Sequence, residues 1–143
     1  MVHVQRTFTL NRPRDEVVAY LADFANAEEW DPGTVSCDPI TQGPVEVGSQ
    51  WRNVSSLAGS KTELTYTLTT LDADRVVLTG VNKTATSVDD IRVADRGAVS
   101  EVTYDATVTF NGLAKLATPL MQVLFLYLGV KTEKQMKRAI SRA

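Results

Sequence analysis

The sequence predicts an α+β fold in which a curved antiparallel sheet of about seven strands surrounds one long C-terminal helix, with two short helices after strand one. Three observations predict this fold. Apolar and polar residues alternate in short segments from residue 34 to 110, helical spacing appears within 13–30, and a long apolar stretch follows Gly112. With no linker, repeat or low-complexity segment in 143 residues, we expect a single domain spanning residues 1–143.

A change of period marks the first strand and the helices that follow it. In HVQRTFTL (3–10), Val4, Phe8 and Leu10 share one face, which indicates a strand. In RPRDEVVAYLADF (12–24), apolar residues recur at three- and four-residue spacing, and the early proline suits the first turn of a helix. The segment NAEEW then predicts a short second helix, which Asp31-Pro32-Gly33 ends.

Six further strands are predicted between residues 34 and 110, separated by turns rich in glycine, proline, asparagine and aspartate. Leu64, Tyr66 and Leu68 share an apolar face in TELTYTLTTL, as do Val102 and Tyr104 in EVTYDATVTF. Short strands at regular spacing are typical of an antiparallel meander rather than of βαβ units. The long C-terminal helix is the element that can cover the apolar face of this sheet.

The stretch LATPLMQVLFLYLGV (116–130) has no charge, so it fits a membrane anchor, a core helix or the lid of an apolar pocket. A membrane-spanning helix needs about 20 apolar residues, so this stretch is too short to be a membrane anchor. A leucine stripe is predicted to face the sheet, formed by Leu116, Leu120, Leu124 and Leu128. Pro119 is expected to kink or start the main helix. Phe125 and Leu126 point off the leucine stripe, and the rim of the pocket, a loop or another molecule could cover them.

Composition and charge argue against several classes of function. The net charge is −2 and basic residues cluster only at 131–142, so we expect no nucleic-acid partner. One cysteine (Cys37) and one histidine (His3) argue against a disulfide, a metal site, a thiol nucleophile and a Ser-His-Asp triad. No phosphate-binding glycine loop is present, and we expect no cofactor. The opening MVHVQRTFTL lacks the apolar stretch of a secretory signal, so we expect a cytoplasmic protein without an integral membrane segment.

Carboxylates and tyrosines remain as candidates for acid–base chemistry. Tyr66 and Tyr104 are weak catalytic candidates because they fall on apolar strand faces, although packing in the core is the favoured role of both. The carboxylates considered are Asp31, Glu63, Asp89, Asp90, Glu101 and Asp105. Strand alternation places the two glutamates and Asp105 in solvent, and Asp89-Asp90 is expected at a solvated turn or bulge.

Three stretches carry a family resemblance: RPRDEVVAYLADFANAEEWDP (12–32), VGSQWRNV (47–54) and TFNGLAKLATPL (109–120). They resemble landmarks of the START-like (SRPBCC) superfamily, the polyketide cyclase/dehydrase and lipid transport proteins. The resemblance spans nearly the whole chain and implies the helix-grip fold. It also implies binding of a hydrophobic or amphipathic small molecule between the sheet and the C-terminal helix. These landmarks are structural and none is a catalytic signature.

The resemblance implies that one end of the sheet, which Trp30 is expected to close, is the mouth of the pocket. Trp51 is expected to point inward, and for both tryptophans ligand contact and core packing are equally open. The residues expected to contact a ligand are Trp30, Trp51, Leu64, Tyr66, Leu68, Val102, Tyr104, Leu120, Leu124 and Leu128.

The sequence is therefore consistent with three functions. The first is a non-enzymatic binder or carrier of a lipid or polyketide-like molecule. The second is an enzyme of the polyketide cyclase or dehydratase type, in which a tyrosine or carboxylate relays a proton. The third is an interaction module, in which surplus apolar surface of the C-terminal helix forms a homodimer or partner interface.

Overall fold

A seven-stranded antiparallel sheet forms the body of the computed structural model, which describes residues 1–57 and 59–142. The strands are β1 (Val2–Leu10), β2 (Thr34–Pro39), β3 (Gln50–Leu57), β4 (Ser60–Asp72), β5 (Arg75–Val81), β6 (Ala85–Arg96) and β7 (Val99–Phe110). Their spatial order is β1-β7-β6-β5-β4-β3-β2, so β2 to β7 form a meander and β1 pairs with β7. The predicted α+β fold, with its curved sheet and long C-terminal helix, is confirmed.

The helices lie where the change of period predicts them. They are α1 (Arg14–Ala22), α2 (Ala27–Trp30) and α3 (Thr118–Arg142), with 3₁₀ turns at Phe24–Asn26 and Gly112–Ala117. Pro13 occupies the N-cap of α1. Pro119 is the second residue of α3, where a missing N–H interrupts no helical hydrogen bond. Of the two outcomes expected for Pro119, it therefore starts the helix.

The main core lies between the inner face of the sheet, α1, α2 and the C-terminal part of α3. Its largest fully buried side chains include Trp30, Phe24, Leu21, Leu68, Leu78, Ile91, Met136 and Ile140. The helix α3 approaches β1 closely at Gly129, where an added Cβ would lie 2.7 Å from Cγ2 of Val4. A second, smaller cluster of Val2, Ala85 and Val108 lies under the N-terminal part of α3 and packs against Phe125.

The face of α3 that meets the sheet differs from the predicted leucine stripe. Leu116 and Leu120 are 81% and 72% exposed, so the prediction that they face the sheet is wrong. Met121 and Phe125 turn toward the sheet instead. Because nearly every residue of this stretch is apolar, helical spacing fits more than one face and does not select among them. The sheet therefore covers Phe125, whereas Leu126 is exposed.

Candidate functional site

A cavity of about 300 Å³ lies between the sheet and α3. Its apolar walls include Val4, Leu64, Ala106, Val108, Phe125 and Leu128. These side chains come from strands β1, β4 and β7 and from the inner face of α3. The close approach of α3 to β1 at Gly129 helps to set the distance between the two walls.

Five polar side chains of the lining lie near one another, and we call them the polar patch: Asp31, Tyr66, Ser87, Asp89 and Tyr104. Strand alternation brings four of them inward, because residues two apart share a face. Ser87 and Asp89 point inward from β6, and Tyr104 points inward from β7, whose register pairs it with Ile91. Asp31 reaches the patch from the loop between α2 and β2.

Asp31 is held by hydrogen bonds within its own loop. Its carboxylate accepts from the Thr34 hydroxyl at 2.8 Å and from the Gly33 backbone N–H at 3.1 Å. The Thr34 hydroxyl in turn accepts from the Asn53 side-chain amide at 3.0 Å. Burial raises the pKa of Asp31, and the two hydrogen bonds that it accepts lower the pKa in opposition.

Asp89 is the most deeply buried carboxylate of the polar patch, at 5% exposed. Desolvation raises the pKa of Asp89 to about 8, the negative charge of Asp31 adds to this rise, and hydrogen bonding with Tyr104 opposes it. Within the described residues, no Lys, Arg or His lines the cavity to compensate the charge. At pH 7 the Asp89 carboxyl is therefore mostly protonated, and it can donate as well as accept a hydrogen bond.

The expectation of a solvated turn or bulge at Asp89-Asp90 is wrong for Asp89. Both residues lie inside the continuous strand β6, on opposite faces. Asp90 lies on the outer face and accepts two hydrogen bonds from Arg75, Nε to Oδ1 at 3.0 Å and Nη2 to Oδ2 at 2.8 Å. The signal for Asp89 was present in the sequence, because alternation places it on the same face as Ile91 and Val93.

Tyr66 and Tyr104 are both buried and line the cavity. Desolvation and then the charge of Asp89 raise the pKa of each phenol well above its ordinary value, so both hydroxyls stay protonated. The ring of Tyr66 is fixed by its neighbours: it packs 4.5 Å from the Phe24 ring centroid, and a Cβ on Gly80 would lie 2.6 Å from its Cζ. A catalytic role for either tyrosine stays a prediction.

The structure divides the ten predicted ligand contacts into three groups. Leu64, Tyr66, Tyr104 and Leu128 line the cavity. Trp30, Trp51, Leu68 and Val102 are buried in the main core and are absent from the cavity lining. Leu120 and Leu124 lie on α3 outside the lining. Ligand contact by any of the ten stays a prediction, and the sequence did not single out Ser87, Ala106, Val108 and Met121, which line the cavity.

Both tryptophans pack against the same aromatic side chain. The ring centroids of Trp30 and Trp51 lie 6.1 Å and 6.2 Å from that of Phe24, in edge-to-face geometry. Trp30 also makes an edge contact with Tyr104 at 6.0 Å. Both tryptophans therefore occupy core positions. Trp30 does not line the cavity itself but contacts Tyr104, which does.

No group of three or more His, Cys, Asp or Glu side chains in residues 1–57 and 59–142 is arranged to hold a metal ion. The single histidine, His3, lies on the outer face of β1, where its Nε2 is 2.9 Å from Oδ2 of Asp105. In the part of the chain that the structure describes, no helix has the length and apolar character needed to cross a membrane.

The fold resembles several solved structures of low sequence identity. TTHA0849 from Thermus thermophilus has a TM-score of 0.81 at 13% identity, over 98% of this chain and 97% of that one. A START superfamily protein from Mycobacterium smegmatis has a TM-score of 0.80 at 11% identity, over 98% and 97%. The Zhui aromatase/cyclase from Streptomyces sp. R1128 has a TM-score of 0.73 at 14% identity, over 96% and 90%. At such identities the likeness shows the fold alone.

Sequence comparison identifies the family. No curated protein matches the sequence significantly. The pattern of one family, described as polyketide cyclase / dehydrase and lipid transport, matches residues 1–128, which is most of the chain. With this match and a START-like fold, the chain belongs to the polyketide cyclase / dehydrase and lipid transport family.

Proposed function

We propose that the protein binds or carries a hydrophobic or amphipathic small molecule in the cavity between the sheet and α3. The observation that carries this proposal is the cavity itself, at about 300 Å³, with apolar walls and a polar patch. Ligand sites in proteins are mostly apolar, with a few placed polar groups that orient the ligand. The walls suit the apolar body of a lipid or polyketide-like molecule, and the polar patch suits its head.

The apolar walls alone support only modest affinity. Burying about 200 Å² of apolar ligand surface contributes about 5 kcal/mol, and the loss of ligand freedom on binding offsets much of it. Selectivity and tight binding therefore depend on the polar patch. The proposal thus assigns a modest part of the affinity to the apolar walls, and tight binding and discrimination among ligands to Asp31, Tyr66, Ser87, Asp89 and Tyr104.

Filling the cavity is expected to abolish binding. Ala106→Phe introduces a ring into the cavity from β7, whereas Thr107→Phe places the same ring on the opposite face of the same strand. A neutral dye, N-phenyl-1-naphthylamine, is expected to bind wild type and Thr107→Phe equally, and Ala106→Phe at least tenfold more weakly. Fluorescence titration measures the affinity, and displacement by lipids and polyketide-like compounds then ranks ligands.

A second filling variant guards against misfolding of the first. Leu128→Trp enlarges the facing wall on α3, and circular dichroism checks that both variants keep the native secondary structure. If wild type binds none of the compounds, or if folded Ala106→Phe and Leu128→Trp bind as wild type does, the cavity is not the binding site.

An enzyme of the polyketide cyclase or dehydratase type is the second candidate. The observation that favours it is Asp89 beside Tyr104 inside the cavity, because a carboxyl whose pKa is raised to about 8 can donate and accept protons near neutral pH. Turnover of a polyketide-like substrate that Tyr104→Phe abolishes, with binding retained, would select the enzyme over the carrier.

A homodimer through α3 is proposed because α3 and the preceding 3₁₀ turn expose a continuous set of apolar side chains. They are Leu113, Leu116, Leu120, Val123, Leu126 and Tyr127. A second copy of the chain presents the same apolar face, and packing the two together removes both from water. We expect light scattering to give a dimer for wild type and a monomer for Leu120→Asp. A wild-type monomer at high concentration would contradict the proposal.

A further inference from the structure

The polar patch of the cavity is acidic, and no basic side chain of the described lining balances it. Asp31 and Asp89 are the carboxyl groups of the lining, and none of the lining residues in 1–57 and 59–142 is Lys, Arg or His. The wall formed by α3 adds no titratable group, since it consists of Met121, Phe125, Leu128, Gly129 and Thr132. A ligand that enters the cavity therefore meets carboxyl groups and tyrosines without a counter-cation.

Three arginines of the sheet form ion pairs outside the cavity lining. Arg6 on β1 pairs with Glu133 on α3 at 2.9 Å. Arg75 on β5 pairs with Asp90 on the outer face of β6 at 2.8 Å, and Arg52 on β3 pairs with Glu63 on β4 at 3.3 Å. Because each of these arginines pairs with a carboxylate outside the polar patch, none of the three neutralises Asp31 or Asp89.

Asp89 is the residue of the polar patch that is expected to discriminate most strongly between charged head groups of a ligand. Its side chain is more than nine-tenths buried, faces the cavity and has no ion-pair partner among the described residues. At pH 8 and above, where Asp89 ionises, an anionic head group placed beside it would add like charge in a poorly solvated site, which is strongly unfavourable. A cationic head group would supply an ion-pair partner for Asp89, and the hydroxyl oxygens of Tyr66 and Tyr104, which line the same cavity, can accept hydrogen bonds from an ammonium group.

We propose that the cavity binds an amphipathic molecule whose polar head is a protonated amine, with the ammonium group placed against Asp89 and Asp31 between Tyr66 and Tyr104. The inference rests on the proposed function and names the class of ligand for that site. It distinguishes amines from fatty acids, whose carboxylate head would meet the same two acidic groups.

Amine binding is linked to the protonation of Asp89. The groups that face Asp89 are Asp31, Tyr66 and Tyr104, and both phenols stay neutral. Because burial holds the pKa of Asp89 at about 8 in the free protein, an ammonium ligand ionises this carboxyl and displaces its proton. Affinity for an amine is therefore expected to rise at least tenfold from pH 6 to pH 8, whereas affinity for a neutral ligand is not.

Three probes with the same ring test the head group: 2-(1-naphthyl)ethylamine, 2-(1-naphthyl)ethanol and 1-naphthylacetic acid. Dissociation constants come from displacement of N-phenyl-1-naphthylamine at pH 6, 7 and 8. At pH 8 we expect the amine to bind at least tenfold more tightly than the alcohol, and the acid more weakly than the alcohol. The gain in amine affinity with pH is expected to be absent in Asp89→Asn.

Matched variants separate the acidic group from the strand that carries it. Asp89→Asn is expected to weaken amine binding at least tenfold at pH 8 and to change alcohol binding less than threefold. Asp90→Asn changes the neighbouring residue on the outer face and is expected to leave all three affinities within twofold of wild type. Equal amine affinity in wild type and Asp89→Asn would overturn the inference.

The probes also separate this inference from the proposed function. If the alcohol binds in the cavity while the amine binds no more tightly, or if the acid binds best, the amine assignment is wrong and the binding function stands. If none of the three probes displaces the dye and the dye itself does not bind, the proposed function fails first.

Discussion

Asp89→Asn is expected to raise the free energy of unfolding by several kcal/mol at pH 8 and by little near pH 4. The pKa of Asp89 is about 8 in the folded protein, against about 3.9 in an unfolded chain. The folded state therefore binds this proton more tightly, so its stabilising effect is complete below pH 4 and is lost as the pH rises through 8. At pH 8 the difference in unfolding free energy between Asp89→Asn and wild type is expected to be on the order of 5 kcal/mol, the largest effect expected of one substitution here.

Urea unfolding at several pH values between 5 and 8.5 measures the effect. The difference in unfolding free energy between Asp89→Asn and wild type is expected to grow by up to about 1.4 kcal/mol for each pH unit. Asparagine keeps the shape of the side chain and carries no charge, so the variant removes the titration with little change in packing. A difference that stays constant with pH would show that Asp89 ionises normally in the folded protein.

The adjacent residue supplies a control of opposite sign. Hydrogen bonds from Arg75 lower the pKa of Asp90, so its contribution is present above the unfolded value and is lost as the pH falls. Both partners are partly exposed to solvent, and such pairs contribute about 0–1 kcal/mol. Asp90→Asn is therefore expected to be slightly destabilising at pH 7, without the stabilisation at pH 8 that we expect of Asp89→Asn.

Most of the fold follows from local signals that the sequence carries openly. Alternation in TELTYTLTTL and EVTYDATVTF predicts two strands and their inner faces, because a period of two has one consistent interpretation. The stretch 116–130 behaves differently. Its apolar residues predict a helix, but Leu120 and Phe125 are equally apolar, and contacts with β1 and the sheet decide which of them turns inward. Those contacts are non-local, so the spacing of apolar residues along the helix cannot predict them.

The candidate site was predictable where the residues are apolar or aromatic and less so where they are charged. Strand alternation brings Leu64, Tyr66 and Tyr104 to the inner face, where they line the cavity. Asp89 obeys the same alternation, yet a charged residue next to Asp90 suggests solvent, since burying an isolated carboxylate is unfavourable. Its closeness to Asp31 depends on the packing of the α2–β2 loop against the sheet. Sites where local rules fail in this way are the ones expected to carry function.

Trp30→Ala is expected to lower the free energy of unfolding by about 3–5 kcal/mol. The Trp30 side chain is fully buried and packs edge to face against Phe24 and Tyr104. Removing the indole leaves a large hole in the main core, because the close-packed side chains around it collapse only partly into the space. Thermal or urea unfolding measures the loss, and a change below about 1 kcal/mol would contradict the central position of Trp30.

Trp30→Phe distinguishes lost volume from a lost polar contact. The Trp30 Nε1 group is buried and makes no hydrogen bond within the described residues, so phenylalanine removes volume without breaking a partnership. We expect Trp30→Phe to lower the free energy of unfolding by about 1–2 kcal/mol, since a partly filled site loses less transfer energy and leaves a smaller hole.

The two tryptophans are also expected to differ in their effect on dye binding. Among the ring contacts described, Trp30 packs against Tyr104, whereas Trp51 packs against Phe24. Trp30→Ala should therefore weaken dye binding more than Trp51→Ala does. Equal effects of the two alanine variants on dye binding would mean that Trp30 does not position Tyr104 in the cavity.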